Sequence, residues 1–253
     1  FGKLQANRSI EPKKRPLVIV RSANGRQQIV AANLIAQMAG ILPNLSLADA
    51  QALCPALNVY QADPVADLKS LTTLRAACER YSPWVAVDPL SGAPENGGLW
   101  GAGLWLDVTG CTHLFGSEET LIKDLLLYLK RVGYRARAGL AATPGTAWAL
   151  ARYKTNTQTK RGFILPAHDD IRTSVASLPI AGLRLNADIV EGLERMGIRY
   201  IGDLYEIPRG PLTSRFGGIV LRRLDQALGT LIEPLSPQCF RPTFLSRLTF
   251  AEP

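Results

Sequence analysis

The chain has 253 residues, enough to bury a sizeable core in one to three domains. Hydrophobic residues make up 47% and charged residues 20%, so it is expected to fold, and no apolar run approaches the ~18–20 residues of a membrane span. Its net charge of +8 is segregated: residues 1–26 hold seven Lys/Arg against Glu11, 27–124 hold four basic and ten acidic residues, and 125–168 hold eight basic residues and no acid, which points one face at a polyanion, nucleic acid first.

The chain opens on Phe1 rather than a methionine and is expected to be a fragment; no signal-peptide pattern is visible at its start. Residues 1–16 read as a basic N-terminal arm. Leu17-Val18-Ile19-Val20 reads as a buried strand ending in an Asn24-Gly25 turn. Gln28–Ala32 continues as a strand or the lead into a helix; Asn33–Ala39 is predicted helical with Gly40 as its stop, and Ser46–Leu53 is a second short helix. Asp63-Pro64 opens a long helix with Leu68, Leu71, Leu74, Cys78 and Tyr81 on one stripe. Trp84–Val87 and the Trp105–Gly110 stretch read as strands flanking a Pro/Gly-rich loop at 88–98, and Thr120–Arg131 as an amphipathic helix. Tyr134–Ala141 is predicted as a strand carrying Arg135 and Arg137 on one face, followed by a helix from Thr143-Pro144, a basic loop at 154–161 and a last strand at 162–165. Past Pro166 the texture is helical, with Asn186 as a cap and Gly197 as a stop. Cys54, Cys78, Cys111 and Cys239 show no metal-ligand spacing and are expected to be reduced in a cytoplasmic protein.

Leu106-Asp107-Val108-Thr109-Gly110 resembles the end of the signature strand of the Y-family (translesion) DNA polymerases. Two further stretches share the resemblance: Ala32-Asn33 through Cys54-Pro55 is similar to the fingers segment, and Leu178–Leu204 to the thumb's helix-hairpin-helix pattern. The resemblance implies an α+β fold: a palm-like mixed sheet with helices on one face and small fingers, then an all-α helix-hairpin-helix thumb and a truncated little-finger module. The implied domains are 17–165 for fingers and palm (fingers about 22–80), 166–232 for the thumb, and 233–253 for a linker and the start of the truncated module.

The departures from the family are chemical. Its Ser-Ile-Asp-Glu carboxylates, which hold Mg²⁺ for nucleotidyl transfer, fall on positions 100–103, so Ala102 and Gly103 replace the acids and offer no oxygen ligand. The tyrosine and arginine that grip the triphosphate fall on Leu34 and Gln37, and an expected Asn-Lys pair falls on Thr143-Pro144. Asp107 matches a family aspartate that is not a metal ligand, and is expected to cap the Thr109-Gly110 turn; Asp88 is expected to reach the sheet only if its loop folds back. His113 reads as packed or surface. No catalytic residue, metal or other cofactor is therefore expected, and Mg²⁺ enters only with the rival reading.

This pattern resembles the ImuB-type branch of bacterial mutasome proteins, which implies a nucleoid-associated accessory role in damage-induced mutagenesis. It implies a RecA-like mutasome protein, an error-prone replicative-type polymerase and the sliding clamp as partners, and no membrane. DNA itself, primed or damaged duplex bound without sequence preference, is expected at Gly182, Leu183 and Arg184 of the thumb hairpin and at Arg135 and Arg137. Arg209, Arg215, Arg222 and Arg223 dot the later thumb helices. Two rivals stand beside this: an active error-prone polymerase with relocated carboxylates such as Asp88, Asp107 or one upstream of Phe1, and a protein-interaction scaffold with no DNA affinity.

Overall fold

A computed structural model describes residues 15–23, 25–88, 103–134, 136–154 and 161–235. Most of the N-terminal arm, the 89–98 loop, Ala102, Arg135, most of the 154–161 loop, Cys239 and the truncated module therefore lie outside the described residues.

Strand β1 (Leu17–Ala23) pairs antiparallel with β2 (Arg26–Ala32) and parallel with β3 (Asn58–Gln61), giving a mixed sheet of order β2-β1-β3. Asn33 fixes the exit from β2. Its side-chain oxygen accepts from Leu17 N at 3.1 Å and from Ala36 N at 2.9 Å, so it ties β1 to the start of helix α1 (Leu34–Met38). Helix α2 (Leu47–Leu53) is capped in the same way by Ser46. Val18, Val20, Ile29, Ala36, Ile41 and Ala50 close a small core beneath this sheet.

Helix α3 (Pro64–Cys78) starts as predicted, with Asp63 accepting from Ala66 N and proline in the first turn. Leu71, Cys78 and Tyr81 are buried, but Leu68 is exposed, so the buried stripe is narrower than the spacing suggests. The helix leads into β4 (Trp84–Val87), antiparallel to β5 (Leu104–Asp107). These pack on α4 (Glu118–Arg131) through Tyr81, Val85, Leu121, Leu125 and Leu129, and the Tyr81 hydroxyl donates to Asp124 at 2.7 Å.

Strands β6 (Ala138–Leu140) and β7 (Gly162–Ile164) form a third, parallel pair. The strand predicted from Tyr134 is thus only three residues long, and Arg137 precedes it rather than alternating along it. Among the described residues the strands make three separate ladders instead of one continuous palm sheet, because β4 to β7 are each only three or four residues long.

Helix α5 (Pro144–Ala149), a π-helical turn at Leu150–Lys154, and helices α6 (Ile171–Ala176), α7 (Ala187–Arg195), α8 (Arg209–Phe216) and α9 (Ile219–Leu228) complete the fold. Ala149 and Leu150 share one core with Val175, Ile180, Leu193, Ile201, Leu212 and Val220, so no break in packing marks residue 166. At the contact of α5 with α9, Thr143 and Thr146 both donate their hydroxyls to Ala227 O, at 2.7 and 2.8 Å. Gly145 permits that approach: a Cβ there would stand 2.8 Å from Ala227 Cα.

Candidate nucleic-acid interface

Among the described residues, the end of the β4–β5 ladder is filled by packed side chains. Ala86 and Trp105, directly opposite each other, pack with Trp148 of α5. Asp88 extends the ladder by donating its backbone N–H to Gly103 O at 2.9 Å, so it stands at the sheet end, while the loop that follows it lies outside the described residues. It is only 3% exposed and accepts from the Trp148 indole at 3.3 Å. The missing side chain at Gly103 leaves room for it, since a Cβ there would lie 3.2 Å from both Asp88 Cβ and Oδ2 and press Asp88 aside by a few tenths of an ångström. The Arg152 guanidinium lies over the Trp148 ring at 5.0 Å. Burial and the charge of Arg137 lower the Arg152 pKa, and Tyr153 and Asp88 act in the opposite sense.

These residues do not fit a magnesium site, which needs several oxygens in near-octahedral array. Gly103 offers none, and Asp88 is engaged by an indole. Asp107 lies opposite Trp84, four residues back along the ladder from Asp88, which separates the two by about 13 Å at the usual strand rise. Asp107 accepts from Thr109 N at 3.0 Å, the turn cap expected from its sequence. No group of three or more His, Cys, Asp or Glu able to hold a metal ion occurs among the described residues.

At the fingers, Leu34 is 63% exposed and carries no polar group, and the Gln37 amide donates to Ala32 O at 2.9 Å. Thr143 and Pro144 start α5 instead of presenting a cation.

The segment expected as the thumb hairpin differs from expectation in a physically clear way. Gly182 and Leu183 are buried, and the N–H groups of Gly182 and Arg184 donate to Pro179 O and Ala181 O within the 3-10 turn Ile180–Leu183. The Arg184 side chain is buried too, paired with Glu233 at 2.5 Å and 5.5 Å from the Trp105 ring centroid. In this arrangement Arg184 is an internal link between the Ile180–Leu183 turn and Trp105 of β5, not a surface cation. Arg209 is held by Asp225 in a two-pronged ion pair (2.7 and 2.9 Å), and Arg223 by Glu233, while Arg215 and Arg222 are exposed.

A second pair of arginines, exposed Arg137 and half-buried Arg152, lies elsewhere. A groove of about 460 Å³ runs between the palm and α7, lined by Arg137, Arg152 and Tyr153 on one wall and by Ala187, Glu191 and Glu194 on the other. Arg137 donates to Arg152 O at 2.8 Å, which sets the two guanidinium-bearing residues side by side. Arg137 is thus the described member of the predicted arginine pair that lines a groove, and its neighbour there is Arg152, fifteen residues on. The sequence signal for Arg152 is the acid-free run 125–168; nothing local marks Trp148 or Asp88 as its companions. No helix among the described residues is long and apolar enough to cross a membrane.

Comparison with known proteins gives a consistent picture. The model of the impB/mucB/samB (IMS) family matches residues 4–152. Protein ImuB of Caulobacter vibrioides is 38% identical over 214 residues, covering 85% of this chain and 43% of the relative. DNA polymerase IV of Salmonella choleraesuis is 27% identical over 217 residues, covering 84% and 58%. Among solved structures, DinB from Sulfolobus solfataricus superposes with a TM-score of 0.68 at 16% identity, covering 92% of this chain and 66% of that one. An insertion ternary complex of Dbh DNA polymerase gives 0.70 at 16% identity, covering 91% and 65%. The chain spans less than half the length of the ImuB relative it matches.

Proposed function

The chain belongs to the impB/mucB/samB family, the UmuC/DinB-type Y-family, and on that premise we propose that it is a polymerase-like, DNA-binding accessory protein of translesion synthesis that performs no nucleotidyl transfer itself. One observation carries the reading. Where the family fold would assemble ion-holding carboxylates, this chain packs Trp105 and Trp148, and it uses Gly103 to seat Asp88 against an indole. A single buried carboxylate held by an indole stabilises packing; it cannot supply the ligand count that a two-metal transfer requires.

DNA is held here by charge without base reading. Arg137, whose guanidinium donates to the Arg152 backbone carbonyl, and Arg152, whose guanidinium lies over Trp148, bring two positive charges to one wall of the palm–α7 groove, and the acidic α7 wall confines phosphates to their side. Such contacts are sequence-blind and salt-sensitive. The ImuB resemblance adds, as part of the proposal, a RecA-like mutasome protein, an error-prone replicative-type polymerase and the sliding clamp as partners, and a cytoplasmic, nucleoid-associated setting.

Primer extension with the full chain on primed duplex, in Mg²⁺ and in Mn²⁺, tests the reading. The expected result is no template-directed addition, with binding to the same duplex at low salt. Addition that Asp88→Asn or Asp107→Asn abolishes would establish the active-polymerase reading instead. Absence of DNA binding at low salt would favour a pure protein scaffold.

A further inference from the structure

Four residues beyond Gly229, which ends α9, Glu233 turns its carboxylate inward. Oε2 accepts from Arg184 Nη2 at 2.5 Å and Oε1 from Arg223 Nη1 at 3.0 Å; Arg223 also donates to Gln226 at 3.2 Å. The Arg184 side chain is 4% exposed and that of Glu233 10%. Two guanidinium groups thus share one carboxylate and leave an uncompensated positive charge in a largely dry place, and the Nε of each arginine is buried with no hydrogen-bond partner among the described residues. Burial and the neighbouring Arg184 both lower the Arg223 pKa, with Glu233 opposing them. Arg184 also holds a left-handed backbone conformation (φ 58°), unfavourable for a residue with a side chain, and that conformation aims it at this spot. Neutralising one glutamate needs one arginine. A second arginine and the idle Nε beside the Arg184 Nη2 make a cradle that one carboxylate does not saturate and that a tetrahedral phosphate can enter.

We propose that Arg184 and Arg223 form a phosphate site whose resident occupant is Glu233, a carboxylate that a nucleic-acid phosphate displaces when the 230–235 strap lifts away. The exchange conserves charge: a singly charged phosphodiester replaces a singly charged carboxylate, which passes into water, and its non-bridging oxygens accept from Nη1 of Arg223 and from the Nη2–Nε edge of Arg184, whose Nε is idle in the closed form. Leu235 of the same strap packs against the Trp105–Trp148 cluster, so the strap covers the seam between thumb and palm in the closed form and uncovers it in the open one. This deepens the DNA-binding reading and rests on it.

The test uses the full chain with Glu233→Gln and with Glu233→Gln/Arg223→Gln. Duplex binding is followed by fluorescence anisotropy across a salt series, and thermal melting in inorganic phosphate against chloride at matched ionic strength. Glu233→Gln is expected to bind duplex about tenfold more tightly. Its log–log salt slope should steepen by about 0.9, one more phosphate neutralised. The double variant should return to wild-type affinity, and phosphate should raise the melting temperature of Glu233→Gln alone. Unchanged or weaker binding by Glu233→Gln, when wild type binds, overturns the proposal. If neither protein binds duplex, the DNA-binding reading fails, and the phosphate arm alone decides: stabilisation specific to Glu233→Gln keeps the cradle, and none removes it. If Glu233→Gln does not melt cooperatively, Glu233→Asp, which retracts the charge by one methylene, should show part of the gain, and no gain overturns the proposal.

Discussion

Gly145→Ala adds a single carbon where α5 meets α9, and its cost can be worked from the distances. The new Cβ would lie 2.8 Å from Ala227 Cα, 3.1 Å from its Cβ and 3.2 Å from its nitrogen, against backbone that cannot swing aside as a flexible side chain would. Relief requires the helices to part by several tenths of an ångström. Such a movement stretches the Thr143 and Thr146 hydrogen bonds to Ala227 O, now 2.7 and 2.8 Å. Overpacking of this kind costs about 1–3 kcal/mol, and weakening two hydrogen bonds adds about 1 kcal/mol. Alanine's better helix propensity returns at most about 1 kcal/mol. The net expectation is a destabilisation of about 1–3 kcal/mol, a fall in melting temperature of about 3–10 °C for a chain of this size. Gly210→Ala, in the first turn of α8 with nothing within 4 Å of its added carbon, is the control and should melt at or above the wild-type temperature. Calorimetry that finds Gly145→Ala as stable as Gly210→Ala would refute the inference that α5 and α9 meet backbone to backbone.

Arg137→Gln and Arg152→Gln should each weaken duplex binding equally across sequences and flatten the salt slope by about 0.9 for every phosphate no longer neutralised, read by anisotropy titrations. Tyr81→Phe removes the donor to Asp124 at 2.7 Å and should cost about 1.5–3 kcal/mol in urea unfolding. The Asp203 carboxylate accepts from the backbone N–H groups of Tyr200 and Arg199, which holds its pKa below the ordinary 3.8. Its contribution is therefore complete above the unfolded value and disappears as pH falls through the lowered folded one. Asp203→Ala should melt below wild type at neutral pH, and the two curves should converge as the solution is taken below pH 3.8.

Most features whose cause lies within a few residues are legible in the sequence, although Asn186 precedes α7 as expected without making a side-chain capping hydrogen bond. Asn33, Ser46, Asp63, Ser117 and Thr143 each cap the helix that follows, and Asp107 caps its own turn, because a side chain that meets a backbone N–H two or three residues on needs no knowledge of the fold. Arg184 misleads for the opposite reason: its partner Glu233 is 49 residues away, and a basic residue at a hairpin looks the same whether it faces water or a carboxylate. Asp88 and Trp148 are 60 residues apart, so Gly103 reads in sequence as a deleted ligand and only in three dimensions as the space that Asp88 occupies. Arg137 is exposed as expected but stands outside its strand, since three residues of ladder suffice to place Gly139 and Leu140. Leu68 shows the limit of periodicity: α3 buries a face only from Leu71 onward.

The common core of α5 and the four later helices bears on how the chain can be dissected. A piece cut at residue 165 would present Ala149, Leu150 and Leu165 bare to water, and the complementary piece would lose the floor on which Ile180 and Leu183 rest. Excising the helical half by itself should give sticky, poorly behaved material. A cleaner severance lies near residues 62–63, between β3 and α3, where the small apolar cluster of the first sheet ends and shares no members with the larger one.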